Sequence, residues 1–559
     1  MRRKYFIYLF TALAVPVAIG TGCKKFLDVN KNVTDPTPSS VQLSMVLSAA
    51  ERNISQNMAL GTGLGNTMGT YTHQIIGRIA ADKYGAGASG WDGLYSAISN
   101  LNVVIKRGKE ESRFVYAGVA KILKAYTVSI LVDVYGDVPF SEYDRFEEGI
   151  TQPKFDKGID IYPQLIKLLD EGIADINNPA VNPSKPAGDD YIYKGNTAYW
   201  IKAANTIKLK LYTQVRLVQD VKAQVTALLA APASLINSQA ESFMLPYGAL
   251  GTTDDRHPAY GDYTATQRGG QLFSPWMYEI MKGRNANILN GLADPRVPYY
   301  VYNQKSPEGG SNPTPENCTE YRDGGFISLV FASTGTCHDG SNSQTYSLLG
   351  VYPAGGRFND SAAKAVNTIG TSAAGTGALP HQFLTYADRL YLEAELINTG
   401  VVTGDARAVF SKALDESFNQ VDYIVTNFVK PGSAGAPQTV PLVAPLAATT
   451  AYKAGVLAAY DAGTVAKKLE YIMTEKWINR IENPVDNYTD YRRTKYPVLF
   501  APAPEGTVTS VTGPDGKVIP VLNDKKYPWS LPFNATEIGL NKNAPPQKVP
   551  ETYKVFWQP

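Results

Sequence analysis

YPQLIKLLDEGIADI, residues 162–176, sets Tyr162, Leu165, Ile166, Leu169, Ile173 and Ile176 at steps of three and four, which puts them on one face of an α-helix and leaves the other face polar. The pattern recurs outward in both directions. Residues 41–58, 91–107 and 113–135 are long amphipathic segments, the last stopped by Gly136. Asn196 is placed to cap a helix reaching residue 218, with Trp200, Ala203, Ala204, Ile207, Leu211 and Val215 on a continuous apolar stripe. Residues 381–398 read as another helix, ending at Gly400; Asp405 then opens a segment to residue 418, and residues 464–481 repeat the pattern. Helices joined by turns this short suit a helix-pair solenoid. Residues 243–380 differ: they are dense in Gly, Pro, Ser and Asn and lack sustained helical period, so they read as loops and short strands built on a helical scaffold. Residues 432–450 form a second such patch. In a third, residues 501–524, Gly513-Pro514-Asp515-Gly516 between Val-rich flanks predicts a β-hairpin.

The amino end carries a different message. Arg2, Arg3 and Lys4 precede an apolar run over residues 5–19, and Gly20-Thr21-Gly22 leads to Cys23, the pattern of an export signal with a lipid attachment site. Residues 1–22 are thus expected to be a lipoprotein signal peptide, Cys23 the lipidated residue, and 23–38 a polar tether held extended by Asp35-Pro36-Thr37-Pro38. Stable anchoring takes at least two acyl chains, which a lipidated bacterial cysteine supplies. No later segment is read as a transmembrane helix, so residues 39–559 are expected to form one body tethered to a membrane surface. The chain holds 53 Lys and Arg against 51 Asp and Glu, and the signal takes three of the basic residues with it. A nearly neutral body argues against a nucleic-acid partner. An oxidising compartment favours pairing Cys318 with Cys337, a closure that contributes about 3 kcal/mol in the chain-entropy picture; the alternative is two separate buried thiols. Tyrosine, with 35 residues against 19 phenylalanines, offers ring faces that tolerate water.

Several strings resemble the SusD/RagB family of outer-membrane nutrient-binding lipoproteins, in its second SusD-like branch. They are Cys23-Lys24-Lys25-Phe26-Leu27-Asp28; Trp91-Asp92-Gly93-Leu94-Tyr95 with Asn102; Tyr135-Gly136-Asp137-Val138-Pro139-Phe140; Pro153-Lys154-Phe155-Asp156. In the second half come Gly195-Asn196, Trp200, Asp294-Pro295-Arg296, Thr385-Tyr386-Ala387-Asp388, Glu393-Ala394-Glu395, Asp490-Tyr491-Arg492-Arg493 and a closing Tyr527-Pro528-Trp529 before Glu537 and Asn541. The closing segment is poorer in arginine than the family pattern. The resemblance implies a mostly α fold: four helix pairs of tetratricopeptide type in a right-handed superhelix, with a loop-rich lobe containing short strands. In this chain the scaffold would occupy mainly residues 39–242 and 380–500, and the lobe residues 243–380. It also implies a lid on the outer face of the outer membrane over a SusC/RagA-like TonB-dependent transporter.

Catalysis has no visible candidate. His73, His257, His338 and His381 are scattered without ligand spacing, and there is no nucleophile elbow, so no catalytic residue and no metal ligand is assigned. Asp490, Arg492 and Arg493 read as an internal ion-pair network, and Glu393 and Glu395 point apart on one helix. Ligand contacts are sought where helical period fails, because loops vary on a fixed scaffold. The candidates are Tyr84, Tyr260, Tyr263, Tyr321, Arg322, Phe326 and Tyr346, whose rings suit the C–H faces of sugars. No cofactor is called for; Asp339-Gly340-Ser341-Asn342 offers oxygen ligands for Ca²⁺ or forms a plain turn. The function expected is a non-catalytic cell-surface lipoprotein that captures oligosaccharide or polysaccharide and delivers it to the partner barrel. The same apparatus serving peptide or another nutrient is the alternative, and a lipid-anchored glycosidase a further one.

Overall fold

The computed structural model describes residues 41–78, 84, 90–180, 182–265, 268–307, 319–335, 337–338, 344–366, 374–433, 436–499, 509–522 and 526–559. Cys23 with the signal and tether, Cys318, and the Asp339–Asn342 turn lie outside them. The described chain is mainly helical, and its strands form only two-stranded pairings, as the fold class requires.

The principal helices mostly follow the periodicity, though Gly63–Tyr71 and Pro484–Thr494 are helices that the sequence reading does not select. They are α1 (Leu43–Met58), α2 (Gly63–Tyr71), α3 (Trp91–Glu110), α4 (Phe114–Tyr135), α5 (Gly158–Ile176) and α6 (Thr197–Val215), then α7 (Tyr386–Asn398), α8 (Ala406–Ile424), α9 (Ala447–Ala462), α10 (Val465–Asn479) and α11 (Pro484–Thr494). Packing is pairwise: α1 on α3, α3 on α4, α4 on α5, α5 on α6, then α7 on α8 and α10. In α5 Tyr162, Leu165, Leu169 and Ile176 are buried as the spacing predicts, Ile166 and Ile173 are half-buried, and Ile161 joins the buried face. The α4–α5 contact is close because it is made by glycines: a Cβ on Gly118 would stand 2.6 Å from the Gly172 carbonyl oxygen. Asn196 does cap α6, its side chain accepting from the Tyr199 amide at 3.3 Å.

Three expectations are corrected. Helix α4 is 22 residues long and apolar enough to cross a membrane, contrary to the reading that no segment after the signal is; 94% of its most apolar window is buried among α3, α5 and α6, so it is the axis of the scaffold. Residues 381–398 are not one helix. Pro380–Leu384 is a strand paired with Phe243–Pro246, and only then does α7 begin. Thr385 makes that switch, its hydroxyl accepting from the Asp388 amide at 3.3 Å while the Asp388 carboxylate accepts from the Thr385 amide at 2.8 Å. Replacing Thr385 with Ala should cost about 1 kcal/mol, read as an earlier urea midpoint with an unchanged slope. Finally, α9 begins inside a patch read as loop. The hairpin expected near Gly513 is present, Ser510–Thr512 pairing with Val518–Pro520.

The main hydrophobic core runs from Leu43 to Trp557, and a small second cluster holds Ile76, Leu272, Ile327, Leu329, Cys337 and Tyr346. Several charged inclusions are paired. Arg493 is fully buried between Glu395, whose Oε2 lies 2.9 Å from its Nη2, and Asp490 at 2.8 Å; Arg216 reaches the same Glu395 at 2.9 Å. Lys476 adds a contact to Asp490 at 2.7 Å. Lys476, Arg493 and Arg480 together hold the Asp490 carboxyl down at about 2 despite its burial. The Asp490-Arg493 string is therefore structural, and Glu393 points elsewhere, to Arg389 at 2.9 Å.

Candidate functional site

The seven residues expected to contact ligand do not form surface platforms. All are buried. Tyr260 and Tyr263 stack on each other at 5.0 Å and 4°, and the Tyr263 hydroxyl donates to the Leu349 carbonyl at 2.7 Å. Phe326 lies flat against Tyr278 at 3.7 Å, and Tyr321 donates to Glu279 at 3.0 Å. Arg322 reaches the Gly324 carbonyl at 3.1 Å, Tyr346 donates to the Cys337 carbonyl, and Tyr84 meets His73 Nε2 at 3.1 Å. The loop-rich composition of residues 243–380 was read as surface, but the tyrosine hydroxyls find backbone carbonyls and carboxylates inside, which lets whole rings be buried.

The open cavity lies on the helical side instead. It measures about 570 Å³ and is built from four separate stretches: Trp91, Asp92, Tyr95 and Ser96 at the start of α3; Pro139 to Asp144 with Phe146; residues 150–153; and Asn534 to Asn541 near the carboxyl end. The quoted strings around Trp91, Val138-Pro139, Pro153 and Glu537 with Asn541 converge here. Val138–Pro139 pairs with Phe155–Asp156, and the Asp156 carboxylate accepts from the amides of Phe140 at 3.1 Å and Ser141 at 2.7 Å, which fixes the turn leading into the wall. Tyr95 donates to the Pro139 carbonyl at 2.8 Å. Asn102 donates to Asp144 at 3.0 Å and accepts from Lys124 at 2.7 Å, so the string's asparagine positions a wall carboxylate. On the opposite side Asn534 donates to Asp92 at 3.1 Å, and Asn541 bridges the Glu537 carboxylate and the Pro153 carbonyl, both at 2.7 Å.

Aromatic rings make the floor and the lip. Trp91 is 3% exposed and wedged against Tyr135 and Tyr95, each at 4.9 Å, so it serves chiefly as support. Tyr143 lies 4.6 Å from Tyr95 and is half-buried, its hydroxyl 2.9 Å from Ser99 Oγ and donating to the Tyr95 carbonyl at 3.1 Å. Burial raises the hydroxyls of both Tyr95 and Tyr143, so they stay neutral. Phe146 is 62% and Leu540 74% exposed, an apolar pair at the rim with no core to fill. Four carboxylates, Asp92, Glu142, Asp144 and Glu537, line the cavity, and among the described residues no Lys, Arg or His does. Lys154 stands 4.0 Å from Glu142, and Lys124 acts on Asp144 from behind Asn102.

This arrangement binds by ring faces and by hydrogen-bond acceptors, and the carboxylates repel anions. The sequence located the cavity's supports, Trp91, Tyr95, Asn102 and Asn541, but missed Tyr143, Asp144 and Phe146. The signal for them was an aromatic and acidic run, Tyr143-Asp144-Arg145-Phe146-Glu147-Glu148, placed between two of the quoted strings.

The family described as starch-binding and associating with the outer membrane, in its second SusD-like branch, matches residues 30–521. No curated protein sequence matches the chain. Among solved structures, a SusD homologue from Bacteroides fragilis is 19% identical with a TM-score of 0.64, covering 90% of this chain and 94% of its own. A chitin-binding protein is 21% identical with a TM-score of 0.61, over 90% of this chain and 95% of its own. A SusD/RagB family protein from Bacteroides thetaiotaomicron is 17% identical with a TM-score of 0.62, over 93% and 99%. At these identities the likeness is one of fold.

Proposed function

This chain belongs to the SusD-like family, and on that premise we propose that it is a cell-surface binding lipoprotein that captures oligosaccharide in the cavity at the start of α3 and delivers it to a SusC-like TonB-dependent transporter. Acyl chains on Cys23 hold it to the outer membrane, facing outward. The observation that carries the reading is the cavity itself: exposed and half-exposed rings of Phe146 and Tyr143 beside hydrogen-bonding carboxylates and amides, in a space of about 570 Å³. Sugars present C–H faces to rings and hydroxyls to acceptors, each ring contributing about 1 kcal/mol. Net affinity then falls in the micromolar to millimolar range, which tethering beside a transporter makes sufficient.

Cavity charge narrows the ligand. With four carboxylates and, among the described residues, no basic side chain on the wall, neutral oligosaccharides are favoured over uronates and sulfated glycans. Calorimetry of the full chain against glucan, chitin, polygalacturonate and peptide mixtures tests this. Heat of binding is expected from a neutral glycan, and affinity for polygalacturonate at least about tenfold weaker, the equivalent of one poorly screened like-charge contact. Binding to peptides alone, or to the acidic glycan best, rejects the sugar reading as stated. Release of reducing ends from the bound glycan by the purified protein would move it to the glycosidases. Co-purification of a β-barrel transporter with the chain from native membranes tests the delivery step.

A further inference from the structure

His257, His381 and Glu482 reach one buried point from three separate elements. His257 caps the short turn Pro258–Tyr260, His381 lies in the strand Pro380–Leu384, and Glu482 lies between α10 and α11. One nitrogen or carboxylate oxygen from each lies within 4.8 Å of the others, and none of the three residues is more than 1% exposed. His257 Nε2 stands 2.8 Å from Glu482 Oε1, yet the two are not aligned as a hydrogen bond. Both ring nitrogens of His381 also lack a well-aligned partner, and the Glu482 carboxylate has no aligned side-chain donor, only the backbone of Leu60 beside it. Orphaned polar atoms are rare in a dry interior, and several meeting at one point indicate a missing group that satisfies them together.

We propose that these three side chains hold one divalent ion of the zinc class. Two imidazoles and one carboxylate are a donor set that zinc accepts, with a fourth position for water, whereas Ca²⁺ and Mg²⁺ call for more oxygens. Atoms this close converge on metal–ligand distances of about 2.0–2.2 Å by moving inward by less than about 1 Å. Burial, aided by Arg52, lowers His257 to about 3 and burial depresses His381, so both rings are neutral, whereas burial raises the Glu482 carboxyl, whose proton the ion would displace. The neighbouring cations are offset locally, Arg480 by Asp388 at 2.7 Å and by Asp486, Arg52 by Asp255 at 3.0 Å. One contact changes. His257 Nδ1 accepts from the Ala259 amide at 3.1 Å, so the neutral ring carries its proton on Nε2; metal at Nε2 moves that proton to Nδ1 and opens this contact. The ion would pin the loop-rich segment around residue 257 to the strand at 381 and to the helical scaffold at 482. Sequence could not show it, since the three ligands share no spacing.

The test uses the full chain, expressed with zinc added, desalted and measured by inductively coupled plasma mass spectrometry. About one zinc per chain is expected in the wild type and in His338→Asn, and none in His381→Phe or Glu482→Gln. Cobalt loaded in place of zinc should give visible absorption bands that both ligand variants lose. Zinc should also raise the thermal midpoint of the wild type and leave that of Glu482→Gln unmoved. If His381→Phe fails to fold, Glu482→Gln, nearly isosteric, decides. A wild type that carries no zinc after loading, or a ligand variant that retains it, overturns the proposal.

Discussion

Arg296→Met is expected to destabilise the protein by about 3–5 kcal/mol, because it leaves two carboxylates buried without their cation. Arg296 is fully buried, with Nη2 2.6 Å from Asp294 and 2.8 Å from Glu475, Nη1 donating to Ser417 at 2.5 Å, and the guanidinium 4.7 Å over the Phe418 ring. Glu475 also accepts from Tyr452 at 2.6 Å, and burial, with Asp294 beside it, pushes its carboxyl up even though Arg296 opposes the shift. The network ties the Asp294-Pro295-Arg296 turn to α8 and α10, so its loss should loosen the junction between loop lobe and scaffold. Urea unfolding followed by far-UV circular dichroism gives the reading: a midpoint well below the wild type for Arg296→Met, largely restored when Asp294→Asn and Glu475→Gln are added. An unchanged midpoint in the single variant would remove this network from the account of what holds the two parts together.

The second large effect is on binding. Phe146→Ala combined with Tyr143→Leu should weaken capture of a neutral oligosaccharide by about thirtyfold, two ring faces at about 1 kcal/mol each. Phe146 projects into solvent at the rim and fills no core, so its removal leaves the fold intact. Leucine at 143 keeps an apolar body against Tyr95 while losing the ring and its hydroxyl contacts. Calorimetry with matched circular dichroism spectra separates the two consequences. Weakened binding with an unchanged spectrum locates the ligand at this cavity. Full affinity in the double variant would move the ligand elsewhere on the surface.

The helices were legible because their signal is local. In α5 four of the six residues that the spacing selects, Tyr162, Leu165, Leu169 and Ile176, are buried, and Ile166 and Ile173 are half-buried at the edge of that face. The strand Pro380–Leu384 was not, because its partner Phe243–Pro246 lies far off in the chain and nothing nearby in sequence announces the pairing. Thr385 was the available clue, since a capping box there marks where the helix starts. The burial of the aromatic candidates was not legible for a related reason: Tyr263 and Tyr321 sit in loop-like composition, but composition does not say whether a hydroxyl will find an internal acceptor, and both do. At the cavity, Trp91, Asn102 and Asn541 were singled out as parts of strings without a role. Only the fold brings residues 92, 144 and 537 around one cavity, and only there does the exposed ring of Phe146 acquire neighbours that suit a ligand.

A crystal structure of the full chain soaked with a neutral oligosaccharide that it binds in solution tests the central claim most directly. Sugar density in van der Waals contact with the rings of Tyr143 and Phe146, its hydroxyls within hydrogen-bond distance of Asp92, Asp144 or Glu537, is the result expected. Density seated on the lobe of residues 243–380, with the α3 cavity empty, would contradict it.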